Sequence, residues 1–227
     1  DLGHTPFGHA GERALEKVCP YGFCHSDQSV RTVELLEKDG QGLNLTFEVR
    51  DGIRNHQTHG EPATLEGKIV RISDKIAYIH HDMDDAIRAG ILKETDIPKE
   101  ITDVIGDTLG KRLDHFIHDL VTYSTGVNDI RMSEPVAEAM RKLREFLFEH
   151  LYTNPAAKGE EEKAEVLIET LYDYYGKHME LLPRDYHMLM DRGEPKEMVL
   201  CDYIGAMTDR FAIAQYEEIY IPQCWHG

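Results

Sequence analysis

Three histidines crowd the start of the sequence beside acidic residues, and this combination could carry out acid–base chemistry. Asp1–Glu12 contains His4 and His9 together with three glycines. His9 and Glu12 stand three residues apart, which places them on one face if this segment is helical. His25 follows just before a serine suited to cap a helix, where backbone amides favour an anion. A lone histidine is more often structural, but this clustering favours proton transfer at a phosphate ester, since a nearby carboxylate raises the pKa of an imidazole.

A second group of polar residues follows one face of a long predicted helix. Steps of 100° per residue bring five side chains together on this face: Asp74, Tyr78, His81, Asp82 and Asp85. Isoleucines and a methionine fill the opposite face, which would pack on a core. A polar stripe can simply face solvent, but three carboxylates with little intervening lysine repel one another unless a cation lies near. Lys75 beside the stripe could neutralise a phosphate, so we favour a binding site.

The elements that carry these groups are predicted to be helices, because helical periodicity is abundant and strand alternation is nearly absent. Helices are predicted over residues 26–38, 43–55, 64–89, 98–124, 133–151, 160–181, 183–191 and 195–220. The predicted fold class is therefore all-α. The segment 153–162, with Asn154-Pro155 and a run of charges, is the best candidate for a domain boundary.

Length, charge and composition limit the classes of protein to which this chain can belong. The 227 residues allow one large domain or two small ones, and the net charge is −17. This charge argues against nucleic-acid binding, although a local basic pocket could still hold one nucleotide. No window approaches the roughly 18 apolar residues of a membrane span and no signal peptide opens the chain, so we expect a cytoplasmic protein. The four cysteines, Cys19, Cys24, Cys201 and Cys224, lack zinc-ligand spacing and are expected to be free thiols.

Several segments, in this order along the chain, resemble the bacterial dGTPase-like dNTP triphosphohydrolases of the HD superfamily. They are Asp1–Glu12 with His25, Leu43–Thr46, Thr64–Gly67, Ile72–Tyr78 and Asp202–Arg210. The resemblance implies an HD-domain helical fold with additional C-terminal helices. It makes residues 1–152 an HD-type catalytic core, whose N-terminal part we expect to be missing from this chain, and 153–227 a helical subdomain packed on it. It also implies hydrolysis of a dNTP to a deoxynucleoside and inorganic triphosphate.

The same resemblance implies a divalent metal. Asp1 matches the aspartate of the His-Asp pair and Asp74 matches a later aspartate ligand, while two histidine ligands are expected upstream of residue 1. Histidine with carboxylate suits Mn, Mg, Fe, Ni or Co and does not choose among them. We therefore expect these 227 residues alone to bind metal weakly and to turn over poorly.

Roles for the pocket residues follow from the resemblance as well. The catalytic positions are His9, Glu12 and His25, with Glu12 pairing with one of the histidines. The substrate-binding positions are His4, Lys75, Tyr78 and Asp82, with Lys75 at a phosphate and the last two at the sugar. We expect His9, oriented by Glu12, to protonate or stabilise the leaving 5′-oxygen, with His25 assisting.

Partners and alternatives complete the sequence-based expectations. The resemblance implies a dNTP substrate and a homo-oligomer, a tetramer or hexamer, and leaves open whether a second dNTP acts as an activator. Two rival functions stand beside it: an HD-type phosphatase or phosphodiesterase on another nucleotide, and a non-catalytic nucleotide-sensing oligomer. The dipeptide His118-Asp119 lacks the glycine-rich context of the metal motif and is interpreted as structural, whereas His81 stays ambiguous. Asp209 and Arg210 are expected to form a structural ion pair.

Overall fold

Every regular element of the computed structural model is helical in the residues it describes, which confirms the all-α prediction. Those residues are 2–152 and 155–224, with side chains described for all of them except 152 and 155–158. No helix in these ranges is long and apolar enough to cross a membrane. All four cysteines carry free thiols.

In chain order the helices are α1 (His9–Val18), α2 (His25–Arg31), α3 (Glu37–Gly40), α4 (Phe47–Arg54), α5 (Leu65–Arg88), α6 (Lys99–Ile105), α7 (Leu109–Ser124), α8 (Glu134–Leu147), α9 (Pro155–Lys177), α10 (Arg184–Asp191), α11 (Lys196–Gly205) and α12 (Asp209–Tyr220). Turns of π-helix lie at Thr32–Leu36 and Phe148–Tyr152, and 3₁₀ turns lie at Glu94–Asp96 and Met179–Leu181.

The chain forms two compact units, and the first of them combines two distant stretches of sequence. It consists of Asp1–Arg54 and Gly159–Gly227. Its core is made of buried apolar side chains from the first helix and from α9 to α12, including Leu15, Leu171 and Ile204. These three side chains are fully buried, so contacts between the two stretches hold this unit together.

The second unit is a continuous stretch, Asn55–Lys158. Among its described side chains, the buried apolar ones come from positions 76–147, and they include Ile79, Met83 and Leu143. On α5 the buried positions follow the predicted apolar face, although Ile69 at its start is 45% exposed. Each unit therefore has its own hydrophobic core.

Two of the predicted helices are each broken in two by local backbone chemistry. The predicted helix 98–124 stops at Gly106, whose φ of +99° ends α6. The predicted helix 195–220 stops after α11, and the Thr208 side chain begins α12 by accepting a hydrogen bond from the Phe211 amide at 3.2 Å. Helical periodicity continues across both breaks, which is why the sequence pattern did not reveal them.

The start of α5 follows the sequence closely. The side-chain oxygen of Thr64 accepts a hydrogen bond from the Gly67 amide at 3.0 Å, so Thr64 is the N-cap. The predicted helix 64–89 therefore corresponds to Leu65–Arg88. By contrast, the predicted helix 26–38 gives way after Arg31 to a π-helical turn and then to left-handed residues at Lys38 and Asp39.

Candidate active site

The three N-terminal histidines lie together in the first unit, and we call His4, His9 and His25 the histidine cluster. The ring centroids of His4 and His25 are 4.8 Å apart, those of His4 and His9 5.6 Å, and those of His9 and His25 6.2 Å. His9 begins α1 and His25 begins α2. The structure thus brings together three imidazoles that are spread over 22 positions of the sequence.

Glu12 binds His25 through two hydrogen bonds. Its Oε1 accepts the backbone N–H of His25 at 2.8 Å and lies 2.9 Å from the ring Nδ1. Burial raises the pKa of Glu12, but the hydrogen bonds from His25 and the charges of His25 and His9 outweigh it and lower the pKa to about 2. An ionised carboxylate cannot donate, so at neutral pH the Nδ1 of His25 carries the proton.

The hydrogen-bond partner of Glu12 is His25 and not His9, the histidine that we expected Glu12 to orient. The i, i+3 spacing favoured the orientation of His9 by Glu12, but both hydrogen bonds of Glu12 go to His25. The physical reason is that His25, although 13 residues away, directs its amide and ring toward the inner side of α1, while His9 is exposed. Glu12 therefore fixes His25.

His4 is half-buried beside the other two rings. Burial lowers the pKa of His4, and positive charge on His25 or His9 lowers it further. His4 is therefore a neutral imidazole at neutral pH, able to accept or donate one hydrogen bond.

Close packing at two glycines, Gly3 and Gly11, positions these segments. A Cβ on Gly3 would lie 2.3 Å from the Ser29 amide nitrogen, and one on Gly11 would lie 2.0 Å from the Pro6 carbonyl oxygen. A larger residue at either position would push the segment carrying His4 off α2 or off α1.

The second predicted group lies on α5 in the second unit. Asp74, Lys75, Tyr78 and Asp82 are all half-buried, whereas His81 and Asp85 on the same stripe are exposed. The stripe therefore divides into an inner part, which contains the predicted binding residues, and an outer part that faces solvent.

Two arginines that the sequence did not single out join Lys75. We call Arg71, Lys75 and Arg144 the cation group; the first two lie on α5 and the third on α8. Burial lowers the pKa of Lys75, and the positive charges of Arg144 and Arg71 lower it further. Within the described residues, no carboxylate forms an ion pair with any of the three. Unpaired cations close together in a protein of net charge −17 are the arrangement expected for binding an anion.

Tyr78 stands beside this group as a neutral hydrogen-bonding residue. Burial raises the pKa of its hydroxyl, and so do the carboxylates of Asp82 and Asp74, while Arg144 and a hydrogen bond with the Thr58 side chain oppose the rise. The hydroxyl therefore keeps its proton across the physiological range. It can donate a hydrogen bond to a bound ligand.

The metal prediction meets only part of its ligand set. Asp1 lies outside the described residues, and the described residues contain no group of three or more His, Cys, Asp or Glu side chains placed to hold a metal ion. Asp74 is the described member of the predicted set and is half-buried on α5. Within the described residues, the predicted set of metal ligands is thus represented by Asp74 alone.

The remaining histidine–aspartate pair behaves as expected of a structural feature. The His118 side chain is 77% exposed and lies 3.5 Å from Asp114 one turn earlier on α7. Asp119 accepts the backbone N–H of Ser133 at 2.8 Å, which caps the start of α8. Neither residue of this dipeptide belongs to the groups described above.

Asp209 has a different partner from the one predicted. Its Oδ1 accepts the backbone N–H of Phe7 at 2.9 Å, between His4 and His9, and it forms no ion pair with Arg210 among the described residues. Local sequence gave no signal for this contact, which joins residues 202 positions apart.

A cavity of about 330 Å³ also lies in the first unit, bordered by residues that include Gln28, Thr32, Tyr186 and Asp202. None of the predicted site residues that the structure describes lines it. The cavity is therefore separate from the histidine cluster.

Two family patterns match this chain. The HD domain matches residues 1–79, and the phosphohydrolase-associated domain matches residues 130–218. The first match covers the histidine cluster, Asp74, Lys75 and Tyr78. The second covers Arg144 and Asp209.

Curated proteins named deoxyguanosinetriphosphate triphosphohydrolase-like protein are similar over nearly the whole chain. The one from Caldanaerobacter subterraneus subsp. tengcongensis is 49% identical over 225 residues, which cover 99% of this chain and 66% of that protein. The one from Clostridium perfringens strain 13 is 40% identical, covering 98% of this chain and 68% of that protein. The one from Geobacter sulfurreducens is 34% identical, covering 98% and 71%. The chain thus spans about two thirds of the length of these relatives.

Proposed function

This chain belongs to the family of deoxyguanosinetriphosphate triphosphohydrolase-like proteins of the HD superfamily, and we propose that it hydrolyses deoxynucleoside triphosphates to a deoxynucleoside and inorganic triphosphate. The observation that supports this most directly is the histidine cluster, with His25 held by an ionised Glu12. Such a cluster suits proton transfer to an oxygen that leaves a phosphate.

The reaction requires that a water oxygen bond to the α-phosphorus as the water loses one proton, that the bond from phosphorus to the 5′-oxygen break, and that one proton reach the 5′-oxygen. We assign the proton transfer to His9, because it is the exposed ring of the cluster. We assign to His25 the stabilisation of the charge that develops, since Glu12 compensates a positive charge on this ring. His4, a neutral imidazole, is assigned to binding the substrate through a hydrogen bond.

We assign to the cation group the binding of the negatively charged phosphates of the substrate. Lys75 with Arg71 and Arg144 supplies three positive charges that no described carboxylate neutralises. Tyr78 and Asp82 are assigned to the sugar, where a hydroxyl donor and a carboxylate acceptor suit the deoxyribose 3′-hydroxyl.

A divalent metal is part of the proposal, with Asp1 and Asp74 among its ligands, but the described residues supply only Asp74. The steps assigned above therefore use the side chains of this chain alone. Mn, Mg, Fe, Ni and Co all suit histidine and carboxylate ligands. A cytoplasmic location, a homo-oligomer and an activating dNTP are proposed on the same family membership.

The deciding experiment incubates the full-length gene product with each of the four dNTPs and several divalent metals and identifies the products. Release of triphosphate in one step is expected. Orthophosphate or pyrophosphate would instead indicate a phosphatase or phosphodiesterase, and binding without turnover would indicate a nucleotide sensor; either result overturns the proposal.

A variant makes the assignment specific to the histidine cluster. We expect His9→Ala to lower kcat by about 10²- to 10⁴-fold, the usual contribution of general acid–base catalysis. His118→Ala removes an exposed histidine from α7 and is the matched control, with unchanged kcat. Unchanged turnover of every dNTP in His9→Ala would refute the catalytic role.

A further inference from the structure

The histidine cluster is assembled from two separate segments, and something must hold these segments in register. His4 lies in the loop that leads into α1 and His9 is the first residue of α1, whereas His25 begins α2. A displacement of one segment by 1 Å would change the distances among the rings, and catalysis is sensitive to displacements of that size.

Asp202 on α11 holds α2. Its Oδ1 accepts hydrogen bonds from Gln28 Nε2 at 2.8 Å and Arg31 Nε at 2.7 Å, and its Oδ2 accepts one from Arg31 Nη2 at 2.8 Å. The Asp202 side chain is fully buried. Gln28 and Arg31 follow His25 on the same helix, so these bonds fix the helix that presents His25.

Asp209 holds the other segment. Its carboxylate accepts the Phe7 N–H at 2.9 Å, and Phe7 has a φ of +61°. The left-handed region is unfavourable for a residue with a side chain, so this conformation needs support from outside the loop. The hydrogen bond that the Asp209 side-chain oxygen accepts from the Phe7 N–H supplies such support.

The two aspartates belong to one short, well-packed segment. Only Ala206, Met207 and Thr208 separate α11 from α12. Met207 is buried, the Ala206 amide bonds to the Asp202 carbonyl at 3.1 Å, and Thr208 caps α12. Hence Asp202 and Asp209 are fixed relative to each other.

We propose that Asp209 is a positioning residue for the histidine cluster: with Asp202 as its fixed counterpart on α2, its carboxylate sets the His4–His9 segment against His25. Asp209 also lies in the first turn of α12, where any carboxylate favours the helix dipole. That role alone would make Asp209 a contributor to helix stability and nothing more. The catalytic consequence of the proposal rests on the proposed function, but the geometric consequence does not.

The test uses three variants of the full-length gene product. Asp209→Ala removes the acceptor. Asp209→Asn keeps a side-chain oxygen at the same distance and removes the charge, and Asp209→Glu keeps the charge but displaces the acceptor. We expect Asp209→Ala and Asp209→Glu to lower kcat at least about 10-fold with KM changed less than about 3-fold, and Asp209→Asn to restore most of the loss.

The matched control is Asp185→Ala, which removes a first-turn carboxylate from α10 and should leave kcat unchanged. If Asp209→Ala fails to fold, the kcat of Asp209→Asn is compared with that of Asp209→Glu, and this comparison decides the test. An active Glu variant with an impaired Asn variant would assign Asp209 to the helix dipole and overturn the proposal.

A measurement independent of activity separates this proposal from the proposed function. Proton–nitrogen NMR spectra of the histidine rings, assigned with His9→Gln and His25→Gln, report how the rings lie against one another. We expect the ring signals of His4 and His9 to move in Asp209→Ala and to return in Asp209→Asn. If they move while no nucleotide is hydrolysed even by the wild type, the positioning role stands and the proposed function fails; if they do not move, the positioning role is wrong.

Discussion

The protonation of the histidine cluster follows from contacts of single residues. Glu12 stays ionised to a pH of about 2 because His25 donates to it twice. His4 stays neutral because it is half-buried beside two other imidazoles. The negative charge of Glu12 compensates a positive charge on the His25 ring.

The Glu12–His25 contact makes stability depend on pH. The folded-state pKa of Glu12, about 2, lies below its ordinary value of 4.5, so its stabilisation is complete above pH 4.5 and is lost as the pH falls toward 2. We expect Glu12→Gln to lower the free energy of unfolding at pH 7, and the gap to the wild type to narrow by pH 3. Urea unfolding of both proteins at pH 7 and at pH 3 measures this difference in the free energy of unfolding. Glu16→Gln, one turn later on α1 and exposed, is the control; a gap of equal size at pH 7 and pH 3 would contradict the assignment.

The cation group predicts an effect on substrate binding. Lys75→Met should raise KM for a dNTP by about 10- to 100-fold, since a hydrogen bond to a charged group contributes about 1.5–3 kcal/mol. Lys68→Met is the control on the same helix, because Lys68 is already paired with Asp129 at 2.7 Å. Steady-state kinetics of the two variants measure the effect. If Lys75→Met and Lys68→Met have the same KM, Lys75 does not bind the substrate.

Sequence patterns singled out some residues of the candidate site and not others, and the difference has a physical reason. His4, His9, His25 and the α5 residues stand out because their types and spacing are unusual within a short window. Arg144 does not, because it is an ordinary exposed arginine of an amphipathic helix until α8 lies near Lys75. The i, i+3 rule favoured His9 as the partner of Glu12, whereas the tertiary contact with His25 prevailed.

At the scale of elements, one buried ion pair joins α2 to α11. The Asp202 side chain has no exposed surface, and Arg31 binds both of its oxygens while also contacting Glu194 at 2.7 Å. Removing one member of such a pair leaves a buried charge without compensation. The position of α2, and with it His25, therefore depends on this pair.

Replacement of Arg31 tests that dependence. We expect Arg31→Ala to lower the free energy of unfolding by about 3–5 kcal/mol. Arg54→Ala is the matched control, since the Arg54–Asp27 pair is 62% exposed on both sides and should contribute less than about 1 kcal/mol. Denaturant unfolding of both variants provides the values, and a small loss for Arg31→Ala would mean that water reaches Asp202.

Element boundaries were the less predictable part of the fold. The N-cap Thr64 and the apolar face gave α5 within a residue at each end. The breaks at Gly106 and at 206–208, and the π-helical turn at Thr32–Leu36, depend on backbone conformations that apolar periodicity does not register.

At the scale of the whole chain, the sequence predicted the all-α class and a boundary within 153–162. The functional division into a core of residues 1–152 and a C-terminal subdomain stays a prediction. What local patterns could not reveal is that residues 1–54 share a compact unit with 159–227. On the surface of this unit, ion pairs join α1 to α9: Arg13 pairs with Glu161 and Glu165, and Lys17 pairs with Glu169.

The two cores predict how fragments of the chain will fold. The core of the second unit draws its described buried apolar side chains from positions 76–147, so the fragment 55–158 should fold alone, with helical circular dichroism and one cooperative urea transition. The buried partners of Ala14 and Leu15 lie at positions 168–212, so the fragment 1–54 should remain unfolded by the same measurements. A stability of a few kcal/mol is expected for the first fragment, at or below the lower end of the usual 5–15 kcal/mol. A fragment 55–158 without a cooperative transition, or a fragment 1–54 that folds alone, would show that the two cores do not stabilise the chain independently.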